Sequence, residues 1–571
     1  MTVDAQARHH EPGQVGPAPQ GPGSPAAGAR LLCVSLDGAT FDVLAPLMAA
    51  GRMPVLAQLC AAGATGRLRS VVPPTTAPAW MSFQTGVGPG GHGIVDFTAF
   101  DPERRQSWFV TAADARATPF WVRLSRAGRR VALLNLPLTH PAPPTNGVVL
   151  PGLFAPDGAG YPAGIAEEVR RAVGEYPAPL LAGAYFTLGP RGFVAELHRR
   201  AERRGEAALY LLRRERWDFF MVHFQSVDSL QHMLWDRLST ALGGGGDEVG
   251  VLDYFSALDA VLGRLVEAAG ARWVLVLSDH GFGPLRRLVY VNEWLRREGL
   301  VTARASGLGL RLAGWAEAAA RRLDLFRLRR HVKLHQRTAF AAVRRLAHEG
   351  LIDLDRSRAY ALYGSHAAHV YVNRVLGTGR GYHLTRVRVV ESLEGLVDPA
   401  TGERVFDAVL PREEVFGARA PQRLPDVVGL PRPGYHITSR LRGTRLCESL
   451  TGGLCGDHRP DGVLVAAGSG IAAGERLEGA RLVDLAPTIL ALLGVAVPAG
   501  LEGRPLPFAA PAADGDREAG TAAGALSNDG ADGGPARTGG DVRQAGAADA
   551  PAYSERELEA IQAHLRGLGY L

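Results

Sequence analysis

Three short apolar runs constrain the fold most. They are Leu31 to Leu36 (LLCVSL), the stretch DFFMVHFQ from Asp218, and WVLVLS from Trp273. Each is continuous and turn-bounded, as a strand buried on both faces of a parallel sheet should be. Each is followed at once by polar residues: Asp37-Gly38, then SVDSLQH with Asp228 and His232, then Asp279-His280-Gly281. Helical segments alternate with the runs, for example MPVLAQLCAA from Met53, FWVRLSRAG from Phe120, and a long stretch from Asp247 to Ala269. The pattern predicts an α/β fold, a central sheet with helices on both faces. Ligands bind such sheets at the C-terminal ends of the strands, where these polar residues stand.

Composition removes several alternatives. The 571 residues are 46% hydrophobic and 21% charged, which suits a globular chain with a large core. Sixty-three basic residues face 57 acidic ones and are spread along the chain, so the net charge of +6 does not make a nucleic-acid surface. Lys333 is the single lysine. Cys33, Cys60, Cys447 and Cys455 form no CxxC pair, which suits reduced thiols and a cytoplasmic setting. The opening MTVDAQARHHEPGQ has neither a basic start nor an apolar run, and no signal peptide is expected. Nothing approaches the roughly 18 uninterrupted apolar residues of a membrane span.

The most distinctive loop is VVPPTTAPAWMSFQTGVGPGGHGIVDF, residues 71–97. Prolines fix the backbone on both sides of Thr75 and Thr76. The run after Pro78 can start a helix, whose N-terminal amides would face an anion held by a threonine hydroxyl. Asp228 and His232 lie four apart on one helical face and could share a metal ion. Adjacent Asp279 and His280 would diverge in a regular element but converge in a tight turn. His458 stands in GDHRPDG, read as a Gly-rich turn before the strand VLVAAG. Cys455, three residues earlier, reads better as a buried thiol than as a zinc partner.

Organisation follows from the gaps between these pieces. Residues 1–29 and 509–552 are too rich in Pro, Gly and Ala to fold and should be a disordered tail and a linker. The core is expected over 30–284 and 436–508, with 285–435 inserted as an α+β cap and 553–571 as a terminal helix opening on Ser554-x-x-Glu557. Within the cap, Arg304 to His348 reads as an Arg-rich amphipathic helical stretch. Tyr360 to Asn373 reads as a strand, and Thr385 to Leu396 as a strand running into a helix. His366 and His369 are read as structural histidines, with a substrate-facing role as the alternative.

Asp37, Thr76, Asp228, His232, Asp279, His280 and His458 amount to three carboxylates, three imidazoles and one hydroxyl. That set can hold two divalent ions, with zinc favoured by the histidines and manganese the alternative. The order of motifs resembles the alkaline phosphatase superfamily. It is closest to the type I phosphodiesterase/nucleotide pyrophosphatase branch and its predicted phosphohydrolase/phosphomutase members. Pro78-Ala79-Trp80, Asn292-Glu293-Trp294-Leu295 and the ending Leu568-Gly569-Tyr570-Leu571 extend the resemblance. It implies an alkaline-phosphatase-like sheet with an inserted cap. It also implies one metal on Asp228, His232 and His458, and a second on Asp37, Asp279, His280 and Thr76. Thr76 would be the nucleophile, passing through a phosphothreonine. The implied reaction is hydrolysis of a phosphodiester or related small-molecule phosphoester. Phosphomonoesterase, phosphonate hydrolase, phosphomutase and non-catalytic scaffold are the alternatives. The asparagine that nucleotide pyrophosphatases carry shortly after the nucleophile is replaced here by Ala79 and Trp80, and the C-x-P-x-R pattern of sulfatases is absent.

Overall fold

The computed structural model describes residues 28–177, 180, 184–304, 351–364, 366–441, 445–450, 453–509 and 558. The Arg-rich stretch, nearly all of the expected tail and linker, and all of the terminal helix except Leu558 lie outside these residues. Leu558 packs against the larger core cluster.

Eight strands form the central sheet. Across it the order is Glu475–Arg476, Ala64–Arg69, Asp461–Gly468, Trp273–Leu277, Gly28–Leu36, Arg216–Phe224, Val131–Leu134 and Gly147–Leu150. Only Asp461–Gly468 runs against the others. The first strand sits at the centre, parallel to both neighbours, with Leu31 paired to Phe219 on one side and Trp273 on the other. Its residues alternate between two hydrophobic clusters. Leu32, Val34 and Leu36 enter one, and Leu31 and Cys33 enter the other. A strand buried on both faces must be largely apolar, which is why the three runs read so clearly in the sequence despite Ser35 and His223.

Two local features bring distant segments to the strand ends. Gly456–Arg459 pairs antiparallel with Gly281–Pro284, setting His458 opposite Phe282, two residues after His280. His458 therefore lies on a short strand rather than on the expected turn. The helix Thr76–Thr85 begins two residues before Pro78 instead of after it. Proline is tolerated in a helix's first turn, where its missing N–H has no partner to lose. All ten residues of this helix are buried.

The segment between Gly281–Pro284 and Tyr435–Thr438 holds a four-stranded antiparallel sheet, in the order Ala359–Ala361, Ala368–Val372, Val427–Pro431 and Phe406–Pro411. Two corrections belong here. Tyr360 to Asn373 is a hairpin of two strands, because Gly364 (φ +75°) turns the chain within the apparent single run. The expected strand from Thr385 is instead helical from Arg380 to Glu394, burying Val389 and Leu393. Four-residue spacing of its apolar positions outweighs the β-propensity of TRVRVV.

Candidate active site

The seven residues singled out from sequence meet in one buried cluster, none more than 5% exposed. Asp37 follows the central strand, and its N–H donates to Phe224 O across to the neighbouring strand (3.1 Å). Gly38 then turns at φ +67°, a conformation that a side chain disfavours. A Cβ there would come within 2.8 Å of the Phe282 ring. The turn lets Gly38 N donate to Asp279 Oδ1 (3.2 Å) while its carbonyl accepts from Gln231 Nε2 (2.8 Å). Three strand ends are thereby tied together through one glycine.

All three ligand-type histidines are oriented the same way. Nδ1 of His232 faces Gly456 O at 3.0 Å, that of His280 faces Gly281 O at 3.1 Å, and that of His458 faces Pro74 O at 3.1 Å. A carbonyl can only accept, so each Nδ1 carries the hydrogen and each Nε2 presents a lone pair. This is how outer hydrogen bonds prepare histidine for a metal. The Nε2 atoms point at carboxylates. Asp228 Oδ1 lies 3.3 Å from His232 Nε2 and 3.2 Å from His458 Nε2. Around His280 Nε2 stand Asp279 Oδ2 at 3.3 Å, Asp37 Oδ1 at 3.5 Å and Thr76 Oγ1 at 3.5 Å.

These residues fit divalent cations by a direct observation. Asp37 Oδ1, Asp228 Oδ1 and Asp279 Oδ2 are buried without a hydrogen-bond partner, and each faces this cluster. Burial, and then the neighbouring Asp37 carboxylate, push Asp279 well above the usual carboxylate range. Burial would raise Asp228 too, but His232 beside it holds it below its ordinary value. Burial and the adjacent imidazoles drive His458 far down. Positive charge between the carboxylates relieves each of these tensions. Two groups lie close enough to share an ion, Asp37/Asp279/His280 and Asp228/His280/His458. His280 thus stands between the two sets, and its ring stacks on His458 at 3.6 Å.

Several participants lie outside the seven residues; Ser35 and His223 were not singled out from sequence, whereas Trp80 and His366 were noted without these contacts. Asp37 Oδ2 lies 3.1 Å from His223 Nε2 and accepts from Trp80 Nε1 at 3.3 Å, leaving Oδ1 bare. Ser35 Oγ lies 3.0 Å from the other nitrogen of His223. The only sequence signal for His223 was an imidazole inside an otherwise apolar strand. Trp80 occupies the place after Ala79 where a phosphate-binding asparagine was missed, and its ring supports Asp37 instead. From the cap, His366 lays its ring on His458 at 3.8 Å and 6°.

A mostly parallel sheet that gathers carboxylates, imidazoles and a hydroxyl at its strand ends offers donors for divalent cations beside a hydroxyl. The chain belongs to the type I phosphodiesterase/nucleotide pyrophosphatase family, whose model matches residues 31–461. It is therefore a phosphoester hydrolase of the alkaline phosphatase superfamily, from a family that depends on metals. Among solved structures it is similar to phosphonoacetate hydrolase from Sinorhizobium meliloti 1021 in complex with phosphonoformate, at 17% identity and a TM-score of 0.51. That match covers 83% of this chain and 97% of the other. Human ectonucleotide pyrophosphatase/phosphodiesterase 5 aligns at 15% identity and a TM-score of 0.48, covering 82% and 96%. No curated protein sequence matches the chain. Among the described residues, no single helix is long and apolar enough to cross a membrane.

Proposed function

We propose that the protein hydrolyses phosphodiesters of small molecules, with Thr76 as nucleophile and a phosphothreonine intermediate. The observation that carries this reading is the convergence of three bare carboxylate oxygens and three pre-oriented Nε2 atoms beside the Thr76 hydroxyl. Asp228, His232 and His458 would hold one ion, and Asp37, Asp279, His280 and Thr76 the other, zinc by the imidazole content and manganese as the alternative. Bound there, divalent ions would make the threonine hydroxyl more acidic and neutralise phosphoryl charge.

The chain's own groups account for the rest. Thr76 is the first residue of its helix. The open amides and positive dipole end of that helix favour phosphoryl oxygens beside the attacking Oγ1. Attack forms the Oγ1–P bond and breaks the bond from phosphorus to the leaving oxygen, which departs as the alcohol with the proton lost from Thr76 and leaves the phosphothreonine carrying the remaining ester. Water then cleaves Oγ1–P, returning a proton to Thr76 and releasing the phosphoryl product. The helix that carries Thr76 is buried, and the ring of His366 stacks on His458. We take residues 285–435 as a cap that sets substrate choice, and the four unpaired thiols support a cytoplasmic setting.

The test is a panel of chromogenic phosphodiesters, phosphomonoesters and phosphonates on zinc- or manganese-loaded protein. Turnover should be highest on diesters and fall at least tenfold in Asp228→Asn. Preference for monoesters or phosphonates would reassign the substrate class, and no turnover of any would contradict the reading.

A further inference from the structure

A second set of metal-type donors lies outside the seven residues. His366 precedes the cap strand Ala368–Val372, His436 lies on Tyr435–Thr438, and Asp457 lies on Gly456–Arg459. All three are at most 5% exposed. His366 Nδ1 stands 2.5 Å from Asp457 Oδ1 and His436 Nδ1 stands 3.0 Å from Asp457 Oδ2. One ligand atom from each of the three lies within 4.8 Å of the other two. The histidine rings meet edge to face at 5.4 Å.

Charge makes this more than a hydrogen-bonded knot. Asp457 is a buried carboxylate, and among the described residues no arginine or lysine forms an ion pair with its side chain. Two neutral imidazoles and the backbone N–H of His458 (2.9 Å to Oδ1) can donate to it, but none of them carries a charge to balance the carboxylate. A cation held by all three resolves the conflict, and two imidazoles with one carboxylate form a donor set suited to zinc and similar transition ions. Close by, His369 Nε2 is also buried without a hydrogen-bond partner.

We propose that His366, His436 and Asp457 bind a third divalent transition-metal ion, which staples the cap to the core beside the catalytic cluster. The three donors come from the cap hairpin and from two strands that follow it, so one ion ties together segments up to 91 residues apart in sequence (457 − 366). The ion is structural in this assignment, because Thr76 and the carboxylates that surround it belong to the other two sets.

The experiment counts zinc per chain on the full-length protein. Wild type, His436→Ala and Asp457→Asn are each equilibrated with excess zinc, desalted and measured by mass spectrometry of the metal. Folding is checked by circular dichroism. Wild type should hold three ions and each variant two. Cobalt loading gives an independent readout, with visible absorbance falling by about one third in each variant. Two ions in all three proteins would overturn the third site and leave the catalytic pair standing. No ion in wild type would remove both. Asp457→Asn keeps the side-chain shape, so it decides the matter if His436→Ala does not fold.

Discussion

At the scale of single residues, two side chains outside the seven address the candidate site through Asp37. Trp80 and His223 both address Asp37 Oδ2, at 3.3 and 3.1 Å, and so determine which oxygen remains open. Trp80→Phe keeps an aromatic ring in the core and removes only the N–H donor. It should weaken metal binding by about tenfold to 100-fold, the usual effect of losing an outer partner, with a smaller change in stability. Titration with a zinc buffer checks this, and unchanged affinity would mean that Asp37 does not need the indole. His223→Ala should weaken metal binding over the same range. Neither role could be read from sequence. A tryptophan in a helix and a histidine in an apolar strand look like core residues until the fold brings them against a strand end some 43 and 186 positions away (80 − 37 and 223 − 37).

At the scale of elements, the helix Thr76–Thr85 is held by the short helical turn that follows it. His92 joins the two. Its Nδ1 accepts from Ile94 N (3.2 Å), so Nε2 carries the hydrogen that faces Ser82 Oγ at 2.8 Å. Burial pushes His92 down to about 3 from its ordinary 6.5, a carbonyl contact with Pro78 opposing this only in part. The unfolded chain therefore takes up a proton at this residue below about pH 6.5 while the folded chain resists until about pH 3. Stability must fall as pH drops through that window and stay flat above it, with a slope of up to ~1.4 kcal/mol per pH unit from this one group. Urea unfolding of wild type and His92→Gln between pH 4 and 8 isolates the effect. The variant should start less stable at pH 7.5 and lose stability less steeply below 6.5, and parallel curves would refute the assignment.

Elements also show where sequence reasoning fails. The apolar runs Leu31 to Leu36 and Trp273 to Leu277 were legible because burial on both faces leaves Ser35 as their one polar position. The helix Arg380–Glu394 was misread because its β-branched residues imitate a strand, and only packing of Val389 and Leu393 decides otherwise. His458 was placed on a turn because Gly456 and Gly462 flank it. Its strand exists only through pairing with Gly281–Pro284, a partner 176 positions away (458 − 282) that no local pattern announces.

At the scale of the whole molecule, the candidate set was legible as residue types following strands, while the choice of Thr76 over Thr75 rested on the family resemblance and not on the loop itself. Thr75 Oγ1 is buried without a hydrogen-bond partner, whereas Thr76 Oγ1 lies 3.5 Å from His280 Nε2 among the ligand atoms. Chelation should abolish turnover, and zinc or manganese should restore it; full activity in protein verified as metal-free would contradict metal dependence. Thr76→Ala should lower kcat by several orders of magnitude, and Thr75→Ala by about tenfold through loop packing alone. The most direct measurement traps the enzyme during turnover of a phosphodiester by acid quench and maps the modified peptide. The expected result is the substrate's phosphoryl group, still bearing its retained ester, on Thr76 in wild type and none in Thr76→Ala. That group on Thr75, or steady turnover by Thr76→Ala with normal metal content, would contradict the account.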